Sequence, residues 1–371
     1  MLRQLYERME RVLARRLRKR PNARDRLLYE MATLGLEAFQ GEGPVVWATV
    51  YSLPMEIITA FGFIPFCHEF VSATFANLGR SEEILKEAEK RGFSRDSCSY
   101  QRGGLGAGLA DYLPRPVAMV GTTNICDGVA KVYEIMGRYY GLEPILLQPP
   151  YGDSPRDVEY LEGQLRGLIG RLEEVTGQRF DEGRFEEVVC NANETRALMV
   201  RVNELRKAVP SSWHGRDAFE FSFLAYLIWG TERLIEIYRE LVEELEARIR
   251  EPADEERYRL LWLHAMPYHR TNLFDLLEEH GARIVCDELS AVYWEPNDEK
   301  APLRSMAERM LRHPGHGPIM TRVRRACRLA QEYQVKGALH FTHWGCRQGC
   351  GGIRLLKDAL PRRTRPKALP A

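Results

Sequence analysis

The sequence predicts an α/β protein with two Rossmann-like or flavodoxin-like lobes, mainly parallel sheets and a helical region that joins the lobes. Short apolar runs with strand character alternate with helical segments up to about residue 150. A long stretch rich in Glu, Leu and Arg follows, and the strand–helix alternation restarts near residue 258. Such alternation is typical of parallel sheets whose crossovers are helices. We therefore expect two separate sheets, one in each lobe.

The 371-residue chain is long enough for two or three hydrophobic cores. We expect an N-terminal amphipathic helical extension (1–40), a first α/β lobe (41–152), a helical linking region (153–255), a second α/β lobe (256–360) and a tail (361–371). Apolar residues from Leu2 to Leu17 recur at helical spacing with arginines on the other face, which predicts a packed or dimer-forming helix. The tail has the composition of a disordered segment.

The strands expected in the first lobe are residues 44–51, 61–66, 116–120 and 144–147, and those in the second are 260–266, 283–285 and 336–344. Three long helices are expected at 154–175, 183–208 and 216–250. The glycine cluster from Gly103 to Gly108 lacks the Gly-Lys-Ser/Thr ending of a phosphate loop and follows no convincing strand. We interpret it as a hinge or helix lead-in, and we expect no nucleotide site in this chain.

The charge balance bears on the partners of the protein. Lys plus Arg number 53 and Asp plus Glu 52, so the net charge is +1. This balance gives no support to nucleic acid or an acidic membrane as a partner. No apolar run approaches the ~20 residues of a membrane span, and Met1 to Arg20 lacks the apolar region of a secretory signal. We therefore expect a cytoplasmic protein.

Eight cysteines in a cytosolic chain indicate metal binding, redox chemistry or core packing rather than disulfides. Their wide scatter excludes a zinc ribbon, which needs two short-spaced pairs. Cys190 and Cys327 lie within amphipathic helices and are interpreted as core residues. The six remaining candidates for ligands are Cys67, Cys98, Cys126, Cys286, Cys346 and Cys350.

Four of these cysteines, Cys67, Cys126, Cys286 and Cys346, follow predicted strands. Because the carboxyl ends of parallel strands share one edge of a sheet, two lobes that face each other would bring them into one cleft. Cys350 follows Cys346 in a glycine-rich turn, whose backbone can wrap closely around a bulky group. Three thiolates would hold one four-iron cubane with an open iron position, and six could hold two cubanes.

Several segments, in the same order along the chain, carry a family resemblance. They are Leu53-Pro-Met-Glu-Ile-Ile-Thr-Ala-Phe-Gly-Phe-Ile-Pro, the Cys98 loop, Thr122-Thr-Asn-Ile-Cys-Asp, Leu172-Glu-Glu-Val-Thr-Gly, Val202-Asn-Glu-Leu-Arg-Lys, Cys286-Asp-Glu and the His-Trp-Gly-Cys346-Arg-Gln segment. The sequence resembles the 2-hydroxyacyl-CoA dehydratase (D-component) superfamily from about residue 40 to 360. The resemblance implies an oxygen-sensitive iron–sulfur protein of anaerobes that an ATP-dependent one-electron reductase activates. It also implies that Cys98, Cys126 and Cys346 match the three ligands of the usual single cubane.

The extra cysteines Cys67, Cys286 and Cys350 depart from that pattern and resemble the double-cubane branch. We therefore expect six ligands, two bridged 4Fe-4S cubanes and the low-potential reduction of a small molecule by a homodimer. One alternative is a dehydratase subunit of a heterodimer, with one 4Fe-4S cluster that removes water from a 2-hydroxyacyl-CoA through a ketyl radical. A second alternative is a non-catalytic redox or assembly subunit.

Five polar residues near the ligand positions are candidates for supplying protons or charge: His343, Arg347, His68, Glu288 and His340. Glu56 matches a helix position of the family, although charge near a helix N-terminus explains it equally well. The family continues past the helix at 353–360 with another strand and helix. We therefore expect that the second lobe is truncated.

Overall fold

The computed structural model describes residues 1–49, 52–250 and 256–360, so the expected tail at 361–371 lies outside the described residues. The elements of the first half are α1 (Leu2–Lys19), α2 (Ala23–Gln40), β1 (Val45–Ala48), α3 (Met55–Phe61), β2 (Ile64–Phe66), α4 (His68–Leu78), α5 (Ser81–Lys90), α6 (Ser99–Leu109), β3 (Ala118–Thr122), α7 (Asp127–Tyr140) and β4 (Ile145–Leu147). The helical region follows as α8 (Pro155–Thr176), α9 (Glu182–Leu205), α10 (Gly215–Ala225) and α11 (Glu232–Ile249). The last part contains β5 (Tyr258–Leu263), α12 (Leu273–Glu279), β6 (Ala282–Asp287), α13 (Pro302–Leu311), α14 (Ile319–Glu332), β7 (Gly337–His340), α15 (Arg347–Cys350) and α16 (Ile353–Ala359).

In the described part of the chain, seven strands form two separate parallel sheets, which confirms the prediction of an α/β fold with two sheets. The first sheet has the order β2-β1-β3-β4, and the second has the order β6-β5-β7. The first order matches the beginning of the flavodoxin-like order 2-1-3-4-5, and the second repeats its first three positions. In this topology ligands bind outside the carboxyl ends of the strands, where the strand order reverses.

Both faces of the first sheet are buried, as expected for a parallel sheet covered by helices. In β1, Val46 and Ala48 face a core shared with the helical region, while Val45 and Trp47 face a core shared with α4 to α7. The period of two along the strand explains this alternation. Helix α13 packs on α8, so the chain returns from the second sheet to the first before it reaches β7.

The glycine cluster lies inside helix α6, so the prediction of a hinge there was wrong. The small residues are needed because neighbouring helices pack very closely on this helix. A Cβ at Gly106 would lie 1.7 Å from the carbonyl oxygen of Ile84 in α5, and one at Gly104 would lie 2.4 Å from the ring of His68 in α4. The cluster therefore brings α6 against α4 and α5 instead of binding phosphate.

The helices of the linking region follow the predicted bounds closely, with one break. The expected helix 216–250 divides into α10 and α11 at Gly230, whose φ of +78° is easily reached only by glycine. At the N-terminus, α1 packs on α2 and the ring of Tyr6 lies directly over Gly35. No helix in the described ranges is long and apolar enough to cross a membrane.

Candidate iron–sulfur site between the lobes

A cavity of about 490 Å³ lies where the two lobes and helix α10 meet. The thiol-bearing residues Cys98, Cys126 and Cys346 all line it. Cys126 follows β3 of the first sheet, and Cys346 follows β7, the strand in the corresponding place of the second sheet. Cys98 reaches the same cavity from the loop before α6. The cavity thus joins thiols from both halves of the chain.

Each of these three cysteines is the residue immediately before a helix. Cys98 precedes α6, Cys126 precedes α7 and Cys346 precedes α15. The first backbone N–H groups of a helix have no partner inside the helix, and they carry a partial positive charge. Such a position stabilises a thiolate or any other negative group placed there.

A nitrogen atom lies within hydrogen-bonding distance of each sulfur. The Nε2 atom of His343 is 3.5 Å from Cys98 Sγ, and Gln101 Nε2 donates to Cys126 Sγ at 3.5 Å. The backbone N–H of Gly349 donates to Cys346 Sγ at 3.3 Å. Hydrogen bonds to sulfur of this kind tune the potential of iron–sulfur clusters.

Burial disfavours the thiolate form of all three thiols by raising their pKa values. Burial raises the pKa of Cys98 to about 11, and it also raises the pKa values of Cys126 and Cys346. The negative charges that these groups would carry raise one another's pKa as well, between Cys98 and Cys126 and between Cys98 and Cys346. A metal that binds here as a thiolate complex must therefore release protons.

The three other candidate ligands do not line the cavity. Cys67 is 3% exposed in the core between the first sheet and the helical region, and Cys286 is 1% exposed in the core of the second lobe. Cys286 lies inside β6 instead of after it, because that strand extends to Asp287. Cys350 Sγ donates to the carbonyl oxygen of His343 at 3.3 Å. The structure thus brings three of the six predicted ligands together at the cavity.

The two cysteines assigned to the core differ from each other. Cys327 is half-buried against the core of the second lobe, and its thiol donates to the carbonyl of Ala359 at 3.6 Å. Cys190 is exposed, so its prediction as a core residue was wrong. It lies between Val189 and Asn191 on the face of α9 opposite Phe185 and Ala192, which are buried. Neither thiol lines the cavity.

Two of the predicted polar residues lie close to the thiols. His343 lines the cavity, with its ring 4.8 Å from that of Tyr100, and burial lowers its pKa. His68 is fully buried and does not line the cavity. Its Nε2 atom lies 2.8 Å from Gln101 Oε1, and burial lowers its pKa, so a neutral ring with a proton on Nε2 orients the amide that faces Cys126.

The other three occupy different places. Arg347 lies at the cavity with an 80% exposed side chain, paired with Asp127 at 2.7 Å. Glu288 lines the cavity and is buried in a two-bond ion pair with Arg322, at 2.8 and 2.7 Å. His340 does not line the cavity, and its Nε2 atom lies 3.1 Å from the carbonyl oxygen of Gly349.

Sequence reasoning missed a network that supports the Cys346 turn. Arg322 donates to the carbonyl oxygens of Gln348 and Gly349, at 3.4 and 3.1 Å. Its partner Glu288 accepts from the backbone N–H of His264 at 2.8 Å. His264 has a φ of +72°, which is uncommon for residues other than glycine and often marks functional sites. The strand signal at 260–266 was the only sequence feature there, and it gave no hint of this conformation.

Cys98, Cys126 and Cys346 offer the kind of thiolate ligands that iron–sulfur clusters take. In the described part of the chain, no three Cys, His, Asp or Glu side chains are placed to hold a single metal ion. A single tetrahedral ion needs sulfurs about 4 Å apart, whereas a cubane spreads its thiolates to roughly 6–7 Å, given metal–sulfur bonds of about 2.3 Å.

Gly345, with a φ of +82°, lets the Cys346 turn approach the Cys98 loop, since a Cβ there would lie 2.7 Å from Cys98 N.

Comparison with known proteins agrees with the parallel sheets and the three-thiol cavity. The family model described as 2-hydroxyglutaryl-CoA dehydratase, D-component, matches residues 50–366. The chain therefore belongs to this family, which confirms the resemblance found in the sequence. Its curated relatives are dehydratase and reductase subunits, which supports an enzymatic role.

The chain is similar to several characterised proteins. It is 29% identical over 282 residues to the (R)-phenyllactyl-CoA dehydratase alpha subunit of Clostridium sporogenes. The aligned region covers 71% of this chain and 69% of the relative. It is 27% identical over 249 residues to the (R)-2-hydroxyisocaproyl-CoA dehydratase alpha subunit of Clostridioides difficile, covering 63% and 61%. It is also 26% identical over 322 residues to a benzoyl-CoA reductase subunit of Thauera aromatica, covering 77% and 73%.

Proposed function

We propose that the chain is the cluster-bearing subunit of a 2-hydroxyacyl-CoA dehydratase, with one 4Fe-4S cluster held by Cys98, Cys126 and Cys346. The convergence of these three thiols at one inter-lobe cavity carries the proposal. When bound, the cluster would have one open iron position, and it would supply one low-potential electron to the thioester. The chain's relatives named as dehydratase alpha subunits support this assignment.

The protein residues around the cavity hold and orient the reacting groups. The helix N-termini after Cys98 and Cys126 stabilise the negative charge of the thiolates. Gln101, oriented by His68, donates to Cys126, and the Arg322–Glu288 pair fixes the Cys346 turn. The Arg322–Glu288 pair and Gln101 are buried, which strengthens their electrostatic interactions.

The double-cubane reductase is the second candidate, favoured by one observation. Cys350 lies close enough to Cys346 for their charges to influence each other. That candidate also requires Cys67 and Cys286 as ligands, and both lie in hydrophobic cores away from the cavity lining. To become ligands, Cys67 and Cys286 would have to leave these cores, whereas the single cluster leaves both cores as they are. This difference supports the dehydratase.

Two kinds of partner belong to the proposal. We propose a separate ATP-hydrolysing reductase as the electron donor, because this sequence carries no phosphate loop. We also propose a second, different chain in the assembled enzyme, because the dehydratase relatives are named as alpha subunits. ATP hydrolysis by the purified chain alone would contradict the first of these assignments.

Iron and sulfide quantification on anaerobically purified protein tests the proposal. One cluster predicts about four irons and four sulfides per chain, and two cubanes predict about eight irons. Mössbauer spectra should show one iron in a site distinct from the other three, because one position lacks a thiolate. Protein that is folded but binds no iron would contradict both candidates and favour a non-cluster role.

A further inference from the structure

One wall of the cavity is a continuous run of aromatic rings. Tyr100 meets Tyr268 edge-to-face at a centroid distance of 5.9 Å, and Tyr268 lies 6.3 Å from Phe219. Phe219 stacks on Phe223 at 6.1 Å. All four residues line the cavity. Aromatic rings gain energy from packing edge-to-face or offset against another apolar or aromatic group.

The polar end of this wall is turned away from the cavity. Tyr100 Oη donates to the backbone carbonyl of Met266 at 3.2 Å, so the hydroxyl is already bonded to the protein. The cavity lining also contains the apolar residues Phe93, Val129 and Leu289. A ligand group that faces this wall therefore meets carbon surfaces.

The cations of the lining are all engaged by carboxylates of the protein. Across the described residues that line the cavity the pairs are Lys131 with Glu134 at 3.1 Å, Arg322 with Glu288 at 2.7 Å and Arg347 with Asp127 at 2.7 Å. The Arg322 pair is buried, while the other two are exposed. A ligand carboxylate beside the buried Arg322 would have to displace Glu288 to obtain that cation.

An acidic side chain also faces the cavity. Glu69 lines it and accepts a hydrogen bond from Gln101 Nε2, next to the thiol of Cys126. A second carboxylate brought next to Glu69 would be repelled by it and would lose part of its hydration. Negative charge beside the thiols thus disfavours acidic acyl groups.

We infer that the substrate is a 2-hydroxyacyl thioester whose acyl side chain is apolar, aromatic or branched, and that acyl groups with a distal carboxylate are excluded. This inference rests on the proposed function and adds the substrate class. The aromatic wall selects for the apolar side chain, and Glu69 together with the buried Arg322–Glu288 pair selects against the acidic one.

The test compares the affinities of two thioesters, one with an aromatic acyl side chain and one with an acidic acyl side chain. Anaerobic protein with its iron content verified is titrated calorimetrically with (R)-3-phenyllactyl-CoA and with (R)-2-hydroxyglutaryl-CoA. We expect the aromatic thioester to bind about tenfold more tightly or better. Equal affinities, or tighter binding of the acidic thioester, would overturn the inference even if the iron count supports the cluster.

Two variants test whether the aromatic wall and Glu69 cause the difference in affinity between the two thioesters. Phe223→Leu keeps the wall apolar but removes a ring, so it should weaken the aromatic thioester several-fold and leave the acidic one unchanged. Glu69→Gln should strengthen binding of the acidic thioester alone. If either variant fails to fold, the affinity order of the unaltered protein still decides. Iron-loaded protein that binds neither thioester contradicts the substrate class and leaves the cluster assignment standing.

Discussion

At the scale of single residues, the site depends on hydrogen bonds that the protein makes to sulfur. Gln101 is 1% exposed, and its amide group contacts His68, Glu69 and the Cys126 sulfur at the same time. Because neutral His68 donates to the amide oxygen, the NH₂ group is left to face the sulfur. This arrangement predicts that Gln101 sets the reduction potential of the bound cluster.

Replacing Gln101 with Leu should make the cluster harder to reduce. An N–H donor to sulfur stabilises the reduced cluster more than the oxidised one, so its loss lowers the potential. A net hydrogen-bond energy of about 1 kcal/mol corresponds to about 40 mV for one electron. Anaerobic redox titration followed by EPR measures the shift.

The matched control is Gln331→Leu, an exposed position on α14. This control should keep the potential of the unaltered protein. A Gln101→Leu protein that retains its iron and shows an unchanged or higher potential would contradict the assigned role.

For single residues, the sequence indicated some positions of the candidate site and missed others. Cys126 and Cys346 were predictable, because each follows a strand of a parallel sheet. Cys98 was already one of the six candidate thiols, but only the family resemblance singled it out, since its loop has no geometric signature. Cys286 lies within β6 and packs in the core, and the cysteine type alone cannot distinguish that location from the end of a strand. The conformation of His264 depends on the Glu288–Arg322 pair, which forms only in the folded chain.

At the scale of elements, two turns carry the site. The turn between β7 and α15 brings Cys346 against the loop before α6, and Gly345 makes this approach possible. The corresponding turn after β3 delivers Cys126 from the first lobe. The equivalent positions of β3 and β7 in their sheets explain why the two thiols face one cavity.

Gly345→Ala should lower iron binding. The alanine Cβ would lie 2.7 Å from Cys98 N and 2.9 Å from Ser97 O, at a φ of +82° that disfavours any side chain. The turn must shift away from Cys98, and two of the three ligands separate. Iron per chain and the intensity of the cluster's absorption band measure the loss.

Gly92→Ala separates the effect of the positive φ from that of the close contact with the Cys98 loop. Gly92 also has a positive φ of +85°, but no atom lies within 4 Å of its Cβ position. We expect that this control costs roughly 1 kcal/mol of stability and leaves the iron content intact. Full iron binding by Gly345→Ala would show that the close approach of the turn is not required.

The order of elements was largely predictable, because each strand is a short apolar run bounded by turns. The helices of the linking region were recovered within a few residues. The position of α13 was not, since its packing on α8 depends on long-range contacts that have no periodic signal. The glycine-rich helix α6 was mistaken for a hinge, because glycine lowers helix propensity while close helix packing demands it.

At the scale of the whole molecule, a buried ion pair ties the first lobe to the returning helix α13. Glu56 of α3 is fully buried and accepts two hydrogen bonds from Arg309, at 2.6 and 2.7 Å. It also accepts from Trp229 Nε1 at 2.9 Å and from Asn297 Nδ2 at 3.2 Å. Burial alone would raise the pKa of Glu56, but Arg309, together with the hydrogen bond from Trp229, holds it below its usual value.

Glu56→Gln should destabilise the fold by about 3 kcal/mol at pH 7, because the charge of Arg309 would remain buried without its partner. Since the folded-state pKa of Glu56 is lowered, the pair stabilises the fold above the ordinary carboxyl pKa of about 4.3. This stabilisation is lost as the pH falls through the folded-state pKa. Urea unfolding at several pH values should therefore show the variant and the unaltered protein converging in acid.

The control is Glu82→Gln, which removes an exposed pair with Lys86 and should leave the unfolding midpoint unchanged. A Glu56→Gln protein as stable at pH 7 as the unaltered chain would show that the pair does not hold α13 in place.

Iron content across a set of single cysteine variants tests the central claim most directly. Each of Cys98→Ala, Cys126→Ala and Cys346→Ala should lower iron well below about four per chain, because one cubane then keeps only two thiolates. Cys67→Ala, Cys286→Ala and Cys350→Ala should keep the iron content of the unaltered protein, and Cys190→Ala serves as the exposed control. An unaltered protein with about eight irons, of which roughly half are lost from a folded Cys67, Cys286 or Cys350 variant, would contradict the single cluster.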